Sequence, residues 1–456
     1  MIVPTHIADR LLAECFGRPR AYQELGRLCD TVGGRVAGTE AAARGEEWGA
    51  GLMRAWGVPS VAFEEFPIRA WSRISLDARV TGPSGWALTA VSHGLTPEAA
   101  DAEGPVVDIG HGDPEEFAAH AASLPGAMVF CDEGAGAGRR KLHRMEKLAL
   151  AQEYGASGMV MISSASGMLP RTGGCHRQGA DIPAIGIARE DGLRIQRLLA
   201  AGDTVRLAVS MRNRLWDGSA RNVIGEIPGS DLPQEVVIAG AHLDSWDVAQ
   251  GATDNGLGCA IVLEMARALA ALGERPRRTL RFALWGAEET GIHGSRTHVE
   301  RRADELDRIA GVMNFDMTGD PYGYWTPGRT EPGPMLRGLA EQLAPLGMQP
   351  DFSNGAGLHS DHQYFMLEGV PVVCLAARLE GEGGRYYHAA GDTFDKVSQS
   401  ALCRAAAVGA HTLWALADAP ERPFGRLDTV QVRAMLEEAK LIEALRAEGY
   451  AGPAVA

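Results

Sequence analysis

The sequence has few features of an exported, membrane-spanning or disulfide-stabilised protein. The N-terminus, MIVPTHIADRLLAECFGRPR, has no basic stretch followed by an apolar run, and the chain has no uninterrupted apolar run of about 18 residues. The seven cysteines are widely spaced and never form CxxC, which argues against both a disulfide framework and a thiolate zinc site. We therefore expect a cytoplasmic protein, or a secreted one if the N-terminus is incomplete.

Basic residues are also in the minority, with 44 Lys and Arg against 58 Asp and Glu and a formal net charge of -14. This charge repels phosphate backbones and anionic lipid surfaces, so we expect neither nucleic acid nor a membrane as a partner. The motifs GxSxG and HExxH do not occur. A serine hydrolase with a nucleophile elbow and an HExxH protease are therefore disfavoured.

With 456 residues the chain is long enough for two domains. From residue 221 onward, strand patterns alternate with helix patterns, which predicts an α/β domain with a mostly parallel central sheet. The expected strands are 222–227, 235–241, 279–285, 312–315 and 371–376, and the expected helices are 257–272 and 402–416. The tail at 427–446 predicts one amphipathic helix that packs on the domain or forms a dimer contact, so a homodimer is possible.

The N-terminal half has a different pattern. Residues 20–60 read as helical around a turn at Gly33-Gly34, and 61–92 read as strands connecting two domains. Between about 95 and 210, short β-like runs and glycine-rich loops surround one helix at 141–154. This part predicts a small β-rich module.

Acidic residues and histidines recur where the strands of the C-terminal half end. At the strand ends they are His242, Asp244, Glu288, Glu289 and Asp316. Asp254 follows in a glycine-flanked turn at the start of the next helix, and His388 follows a glycine-rich loop. Ligands of open α/β sheets bind at the carboxyl ends of the strands, where these side chains would meet. Each alone is more typical of a helix cap or a solvated surface, but together they would repel one another without a cation. Oxygen and imidazole donors without thiolates suit zinc, manganese or cobalt.

This series, His242-x-Asp244, Asp254-Asn255, Glu288-Glu289, Asp316 and His388, resembles the motifs of the M28 family of co-catalytic zinc peptidases. The resemblance covers roughly 20–90 and 213–420, including Arg35-Val36-Ala37-Gly38-Thr39. The middle module, with its 146–154 helix and the Ile182–Ile187 run, resembles the protease-associated (PA) domain inserted in many members. Within the family, the carboxypeptidase Q-like branch, which contains dipeptidases and aminopeptidases, is the most similar.

The resemblance implies a fold, a set of ligands and a reaction. The fold is a mixed, mostly parallel central sheet flanked by helices, of the phosphorylase/hydrolase-like type, with an inserted β-rich PA domain. Two zinc ions are expected, or manganese or cobalt, with a peptide or dipeptide as substrate. Asp254 would bridge the ions, His242 and Asp316 would complete one site, and Glu289 and His388 the other. Glu288 would be the general base, and the Asp244 carboxylate would accept the second ring N–H of His242.

Three further residues are candidates for contact with the substrate: Asp361, His362 and Tyr387. His293 and His298 are expected to face solvent on a polar helix. The expected division of the chain is 1–92 and 213–420 for the peptidase domain, 93–212 for the PA insert and 421–456 for a helical tail.

Two alternatives stay open at this stage. A glutaminyl cyclase-like enzyme would use one zinc ion for an intramolecular amide transfer. A binding protein that kept the fold and lost catalysis would lack some ligands, and no expected position is missing here.

Overall fold

The computed structural model describes residues 2–329, 333–379 and 383–455, and this part of the chain forms a mixed α/β protein with a large sheet flanked by helices. The strands are β1 (Ser60–Gly82), β2 (Trp86–Ala87), β3 (Ala90–Ser92), β4 (Ala99–Asp108), β5 (Met128–Asp132), β6 (Gly158–Ile162), β7 (Ala184–Ile187), β8 (Arg206–Ile227), β9 (Leu232–His242), β10 (Arg278–Trp285), β11 (Ile309–Asn314), β12 (Asp320–Trp325), β13 (Phe352–Ser353) and β14 (Cys374–Arg378). The helices are α1 (Thr5–Gly17), α2 (Ala21–Thr31), α3 (Glu40–Ala55), α4 (Pro114–His120), α5 (Arg144–Glu153), α6 (Arg189–Ala200), α7 (Leu257–Leu272), α8 (His293–Arg301), α9 (Gly333–Gln342), α10 (His362–Leu367), α11 (Gln399–Asp418), α12 (Thr429–Glu438) and α13 (Ile442–Ala447).

The strands of the C-terminal half lie in the order β11-β9-β10-β8, with β1 also paired to β8. β9 pairs in parallel with both β10 and β11, so the carboxyl ends of these three strands share one edge of the sheet. In this register Trp285, the last residue of β10, lies opposite His242, the last residue of β9. Every residue of β10 and β11 is buried, because helices cover both faces of the sheet.

Helix α7 is the central helix on one face of the sheet. It packs against β9 and β10 and against α1, α2 and α11. The segment Ala252–Leu272 is long and apolar enough to cross a membrane by composition, yet 89% of its most apolar window is buried inside the protein. Its apolar surface therefore belongs to the core of the domain.

The inserted module continues the same sheet through two long strands. β1 and β8 pair antiparallel along almost their full lengths, and the first part of β8 also pairs with β4. From β4 the order runs on through β5, β6 and β7, which are parallel to one another. The long strands thus hold the module beside the carboxyl-end edge of the peptidase strands.

The C-terminal tail differs from the expectation of one helix over 427–446, which was wrong. Helix α12 begins at an Asp428 cap, whose side chain accepts the N–H of Gln431, and a second helix, α13, follows. Lys440 lies between them at φ 56°, in the left-handed region that ends a helix. Buried apolar side chains of both helices, among them Leu436 and Leu445, pack on the core beside α10.

Candidate active site

The shared edge of β9, β10 and β11 gathers the acidic residues and histidines of the C-terminal half. His242 is the last residue of β9, Glu288 and Glu289 follow β10, and Asp316 follows β11. Asp254 lies in a tight turn, Ala252–Gly256, that leads into α7. His388 comes from the long loop that precedes α11.

Five of these side chains form two donor groups that share Asp254. In the first group, Nε2 of His242 lies 3.2 Å from Oδ1 of Asp254 and 3.5 Å from Oδ1 of Asp316. In the second, Nε2 of His388 lies 3.2 Å from Oδ2 of Asp254 and 3.0 Å from Oε2 of Glu289. Each group can surround one cation, and the two oxygens of Asp254 face different groups.

The residues present fit a pair of small divalent cations. Imidazole and carboxylate ligands bind zinc at about 2.0 to 2.2 Å, so tetrahedral ligands lie roughly 3.4 Å from one another, close to the spacing of both groups. One carboxylate oxygen of Glu289, Oε1, is buried and has no hydrogen-bond partner. A buried acceptor without a partner is costly, and a cation would satisfy it.

The electrostatics of the cluster also call for positive charge. Burial would lower the pKa of His388, but Glu289 and Asp254 outweigh it and raise this pKa to about 9. Burial likewise opposes protonation of His242, yet its contacts with Asp254 and Asp316 raise its pKa well above the ordinary value. Without a cation, protons on the two rings balance the carboxylates. A bound cation would take the place of these protons.

Buried polar side chains hold the turn that carries Asp254. The carboxylate of Asp392 accepts the backbone N–H groups of Thr253 at 2.7 Å and of Asp254 at 3.1 Å. The guanidinium of Arg35 donates to the carbonyls of Leu243 at 2.8 Å and Gly251 at 2.9 Å. Arg35 therefore ties the segment after His242 to the segment before Asp254, which explains why the 35–39 segment belongs to the site.

The structure corrects the contact expected of Asp244. Nδ1 of His242 donates to the backbone carbonyl of Asp244 at 3.0 Å, whereas the Asp244 carboxylate lies 3.8 Å from this nitrogen. The carboxylate instead accepts the backbone N–H groups of Glu288 at 3.0 Å and Glu289 at 3.1 Å. The backbone turns after β9 so that its carbonyl faces the ring and its side chain faces the end of β10. Asp244 thus fixes the ring of one donor and the backbone of two glutamates.

Glu288 is a half-buried carboxyl that lines a cleft beside the donor groups. It lines the cleft together with Glu289 and His388. Burial, opposed by the His242 ring and reinforced by Glu289, raises the pKa of Glu288 well above its ordinary value. Ala287 directly before it has φ 58°, a strained conformation that the surrounding contacts must hold.

Two residues that sequence reasoning missed orient the second donor group. The indole Nε1 of Trp246 donates to Oε2 of Glu289 at 2.6 Å. Nδ1 of His388 donates to the backbone carbonyl of Thr172 at 3.2 Å, and the N–H of Thr172 donates to the carbonyl of His388 at 3.0 Å. Thr172 belongs to the inserted module, so the insert directly supports a candidate ligand.

The candidates for contact with the substrate lie in different surroundings. Tyr387 stacks on His388 with ring centroids 3.7 Å apart and lines the cleft. Asp361 and His362 are buried and are not among the residues that line it. Asp361 accepts a hydrogen bond from Ser295, and burial raises its pKa to about 7. Next to Asp361, the hydroxyl of Ser360 donates to Oδ2 of Asp316 at 2.7 Å and so positions this candidate ligand.

The expectation that His298 faces solvent was wrong. Its side chain is 0% exposed, its Nδ1 lies 2.9 Å from Oε2 of Glu64, and its ring packs edge-on against Trp285. The side of helix α8 that carries His298 packs on the sheet. The buried ring is tolerated because Glu64 on β1 pairs with it. His293, expected to be equally exposed, is half-buried.

Comparisons with known proteins agree with this geometry. The profile of Peptidase family M28 matches residues 222–413, and that of the PA domain matches 102–195. Carboxypeptidase Q of Mus musculus is 30% identical over 414 residues, covering 88% of this chain and 86% of that protein. Leupeptin-inactivating enzyme 1 of Streptomyces exfoliatus is 34% identical over 249 residues, covering 50% of this chain and 55% of that enzyme. The crystal structure of a peptidase M28 precursor from Shewanella amazonensis SB2B superimposes with a TM-score of 0.81 at 25% identity, covering 93% of this chain and 98% of that one.

Proposed function

The chain is a metallo-exopeptidase that belongs to peptidase family M28, and we propose that it uses two zinc ions to hydrolyse peptide bonds as an aminopeptidase or dipeptidase. The observation that carries the proposal is the pair of donor groups joined by Asp254. His242, Asp254 and Asp316 would hold one ion, and Asp254, Glu289 and His388 the other. Zinc is proposed because two imidazoles and three carboxylates suit it, with manganese or cobalt as alternatives.

When bound, the cations would lower the pKa of a water, polarise the scissile carbonyl and stabilise the negative charge that develops on its oxygen. The residues of the chain do the rest. Glu288 takes a proton from the attacking water and delivers it to the leaving amine, as a general base and then a general acid. Asp244 holds the backbone of Glu288 and Glu289, and the Thr172 carbonyl keeps the proton of His388 on Nδ1, so that Nε2 stays free to bind a metal.

The substitution Glu288→Gln tests the proposed mechanism. It preserves size and removes the ability to accept a proton, so we expect kcat to fall by about 10²- to 10⁴-fold while both ions stay bound. Dipeptide hydrolysis and the zinc content of the purified variant measure the two effects. Full activity of Glu288→Gln with metal bound would contradict the role given to this residue.

Metal stoichiometry of the wild type is the companion measurement. Two ions per chain and release of free amino acid from a dipeptide support the proposal. One ion per chain together with cyclisation of N-terminal glutamine would instead indicate a glutaminyl cyclase-like activity. Metal bound without any turnover would indicate a binding protein that has lost catalysis.

A further inference from the structure

A cleft beside the donor groups is lined jointly by the insert and the peptidase domain. Glu288, Glu289 and His388 form the part of its wall that belongs to the proposed reaction centre, and Arg144 and Arg177 come from the insert. Glu448 also lines the cleft, so the two guanidinium groups lie among three carboxylates. The question is therefore whether either guanidinium lacks a carboxylate partner within the protein.

Arg177 already has a carboxylate partner within the protein. Its Nη2 lies 3.5 Å from Oε2 of Glu448, and Oε1 of Glu448 lies 2.6 Å from Nε2 of His359. All three side chains line the same cleft, and the charges of Arg177 and Glu448 offset each other. Arg177 is therefore not the cation that lacks a counter-ion.

Arg144 has no ion pair among the residues that the structure describes. Its guanidinium contacts two ring nitrogens, Nε2 of His143 at 3.2 Å and Nδ1 of His388 at 3.3 Å. The second contact is not a hydrogen bond, because Nδ1 of His388 carries a proton that it donates to the Thr172 carbonyl. Two N–H donors, one from Arg144 and one from His388, therefore face each other. At least one donor of Arg144 is thus left for a ligand.

The backbone is shaped to admit this side chain. At Gly173 φ is +145°, and a Cβ built there would lie 2.2 Å from Nε of Arg144. The guanidinium therefore lies flat against the glycine, half-buried at the start of α5. A guanidinium held in place in this way loses little further freedom when it binds a carboxylate in a bidentate manner.

We propose that Arg144 binds the C-terminal carboxylate of the substrate, which makes the enzyme a dipeptidase. This inference rests on the proposed function, because it assumes that the scissile bond lies at the donor groups. Nε2 of His388 faces these groups and Nδ1 faces Arg144, so a single imidazole ring separates the two. One residue spans about 3.3 to 3.6 Å, so the carboxylate of the residue after the scissile bond lies within reach of Arg144. A longer peptide has an uncharged amide at this point.

The first test compares a dipeptide with its amide in the wild type. We expect kcat/KM for Leu-Ala to exceed that for Leu-Ala amide by at least about 100-fold, since the amide leaves the guanidinium without a carboxylate. Equal rates on the two compounds would overturn the inference and leave the proposed exopeptidase intact. Hydrolysis of neither compound, nor of any dipeptide in a wider panel, would count against both.

The second test removes the guanidinium. Arg144→Met should lower kcat/KM for Leu-Ala by about 100-fold and change it less than about threefold for Leu-Ala amide, which shows a lost charge contact rather than a damaged site. Arg144→Lys should keep part of the preference, because lysine retains the charge but not the fork of donors. The matched control is Arg194→Met, an exposed arginine of the insert that lies over Trp86, and it should leave both rates unchanged. Equal losses of Arg144→Met on both substrates would overturn the inference.

A binding experiment checks the same contact without turnover. In the Glu288→Gln background, isothermal titration should show Leu-Ala binding at least about tenfold more tightly than Leu-Ala amide, and adding Arg144→Met should abolish the difference. A difference that survives Arg144→Met would assign the carboxylate to another group and overturn the inference.

Discussion

At the scale of single residues, Asp244 shows how one carboxylate positions two glutamates. Its oxygens accept the N–H groups of Glu288 and Glu289, one each, and the side chain is 2% exposed. Hydrogen bonds from backbone N–H groups to an ionised acceptor are stronger than those between neutral partners. Burial, reinforced by the charge of Glu289, raises the pKa of Asp244 to about 6, although the charge of His242 and the two backbone N–H groups lower it. The ionised carboxylate therefore depends on these partners. Asp244 is a positioning residue, which acts through the backbone that it holds.

The substitution Asp244→Asn tests this role. Asparagine has nearly the same shape, but its amide NH₂ would face one of the two backbone N–H groups, so one hydrogen bond is replaced by a contact between donors. We expect a fall of roughly 10- to 100-fold in kcat, with the fold retained, as for other residues that orient metal ligands. Steady-state kinetics and circular dichroism measure the two properties.

The control for this variant is Asp217→Asn, which removes a 95% exposed carboxylate that pairs with Arg69 on the surface. Exposed ion pairs contribute little, so the control should keep wild-type activity. Wild-type kcat in Asp244→Asn would show that the end of β10 holds its conformation without this carboxylate.

The sequence could reveal His242, Glu289 and Asp316 because each lies at the end of an apolar strand, and these strand ends meet at one edge. It could not reveal the Thr172 carbonyl that orients His388, since a backbone acceptor leaves no signal in residue type. Likewise His298 reads as polar surface, and its partner Glu64 is 234 residues away in the chain. Contacts between residues so far apart depend on the packing of whole elements.

At the scale of elements, the segment 171–175 of the insert crosses the second donor group as a strap. Besides the paired hydrogen bonds of Thr172 and His388, the N–H of Gly94 donates to the carbonyl of Gly173 at 3.0 Å. Gly174 passes so close to the end of β10 that a Cβ built on it would lie 2.7 Å from the backbone oxygen of Glu289. The strap can therefore hold its place only with glycine at 174.

We expect Gly174→Ala to displace the strap and so loosen the second donor group. The Thr172 carbonyl would move away from the ring of His388, and the affinity for one of the two ions should fall by roughly 10- to 100-fold. A zinc titration followed by activity measures this as a weakened second equivalent of metal. Unchanged binding of both equivalents would show that the strap does not orient the ring.

The matched control is Gly51→Ala, on the exposed side of α3, where a Cβ meets no atom within 4 Å. Alanine there should raise stability by about 0.5 to 1 kcal/mol and leave metal binding unchanged, because glycine is a poor residue for a helix interior.

Elements differ in how clearly the sequence shows them. The expected bounds of the helix 257–272 are those of α7, since apolar residues recur along it and Gly273 ends it at φ 69°. The strands β1 and β8, of 23 and 22 residues, were not foreseen as continuous strands. They run from the peptidase part of the sheet into the insert, so the pattern of buried and exposed residues changes along each strand. No single alternation of apolar and polar residues therefore extends over the whole strand. The sequence predicts one helix where the tail has two, because the left-handed turn between them is made by Lys440 and not by glycine, the residue that usually marks the end of a helix.

At the scale of the whole molecule, the candidate ligands join distant parts of the peptidase domain. They come from the end of β9, the turn before α7, the ends of β10 and β11, and the loop before α11. Without cations, three carboxylates lie close together and repel one another. Only protons on the two imidazole rings then offset this repulsion. Metal binding should therefore contribute to the stability of the folded domain as well as to catalysis.

Removal of metal by a chelator should lower the melting temperature, and added zinc should restore it. A ligand that binds only the folded state stabilises it by about 2.7 kcal/mol at a concentration 100-fold above its Kd, which corresponds to a rise on the order of a few °C for a protein of this size. Thermal melts of the stripped protein across a zinc titration measure the shift. The variant Asp254→Asn is the control, because it lacks the carboxylate that both groups share, and its melting temperature should respond far less to the same zinc concentrations. An equal response in the variant would place the stabilising zinc elsewhere in the protein, because the loss of the shared ligand weakens both sites at once.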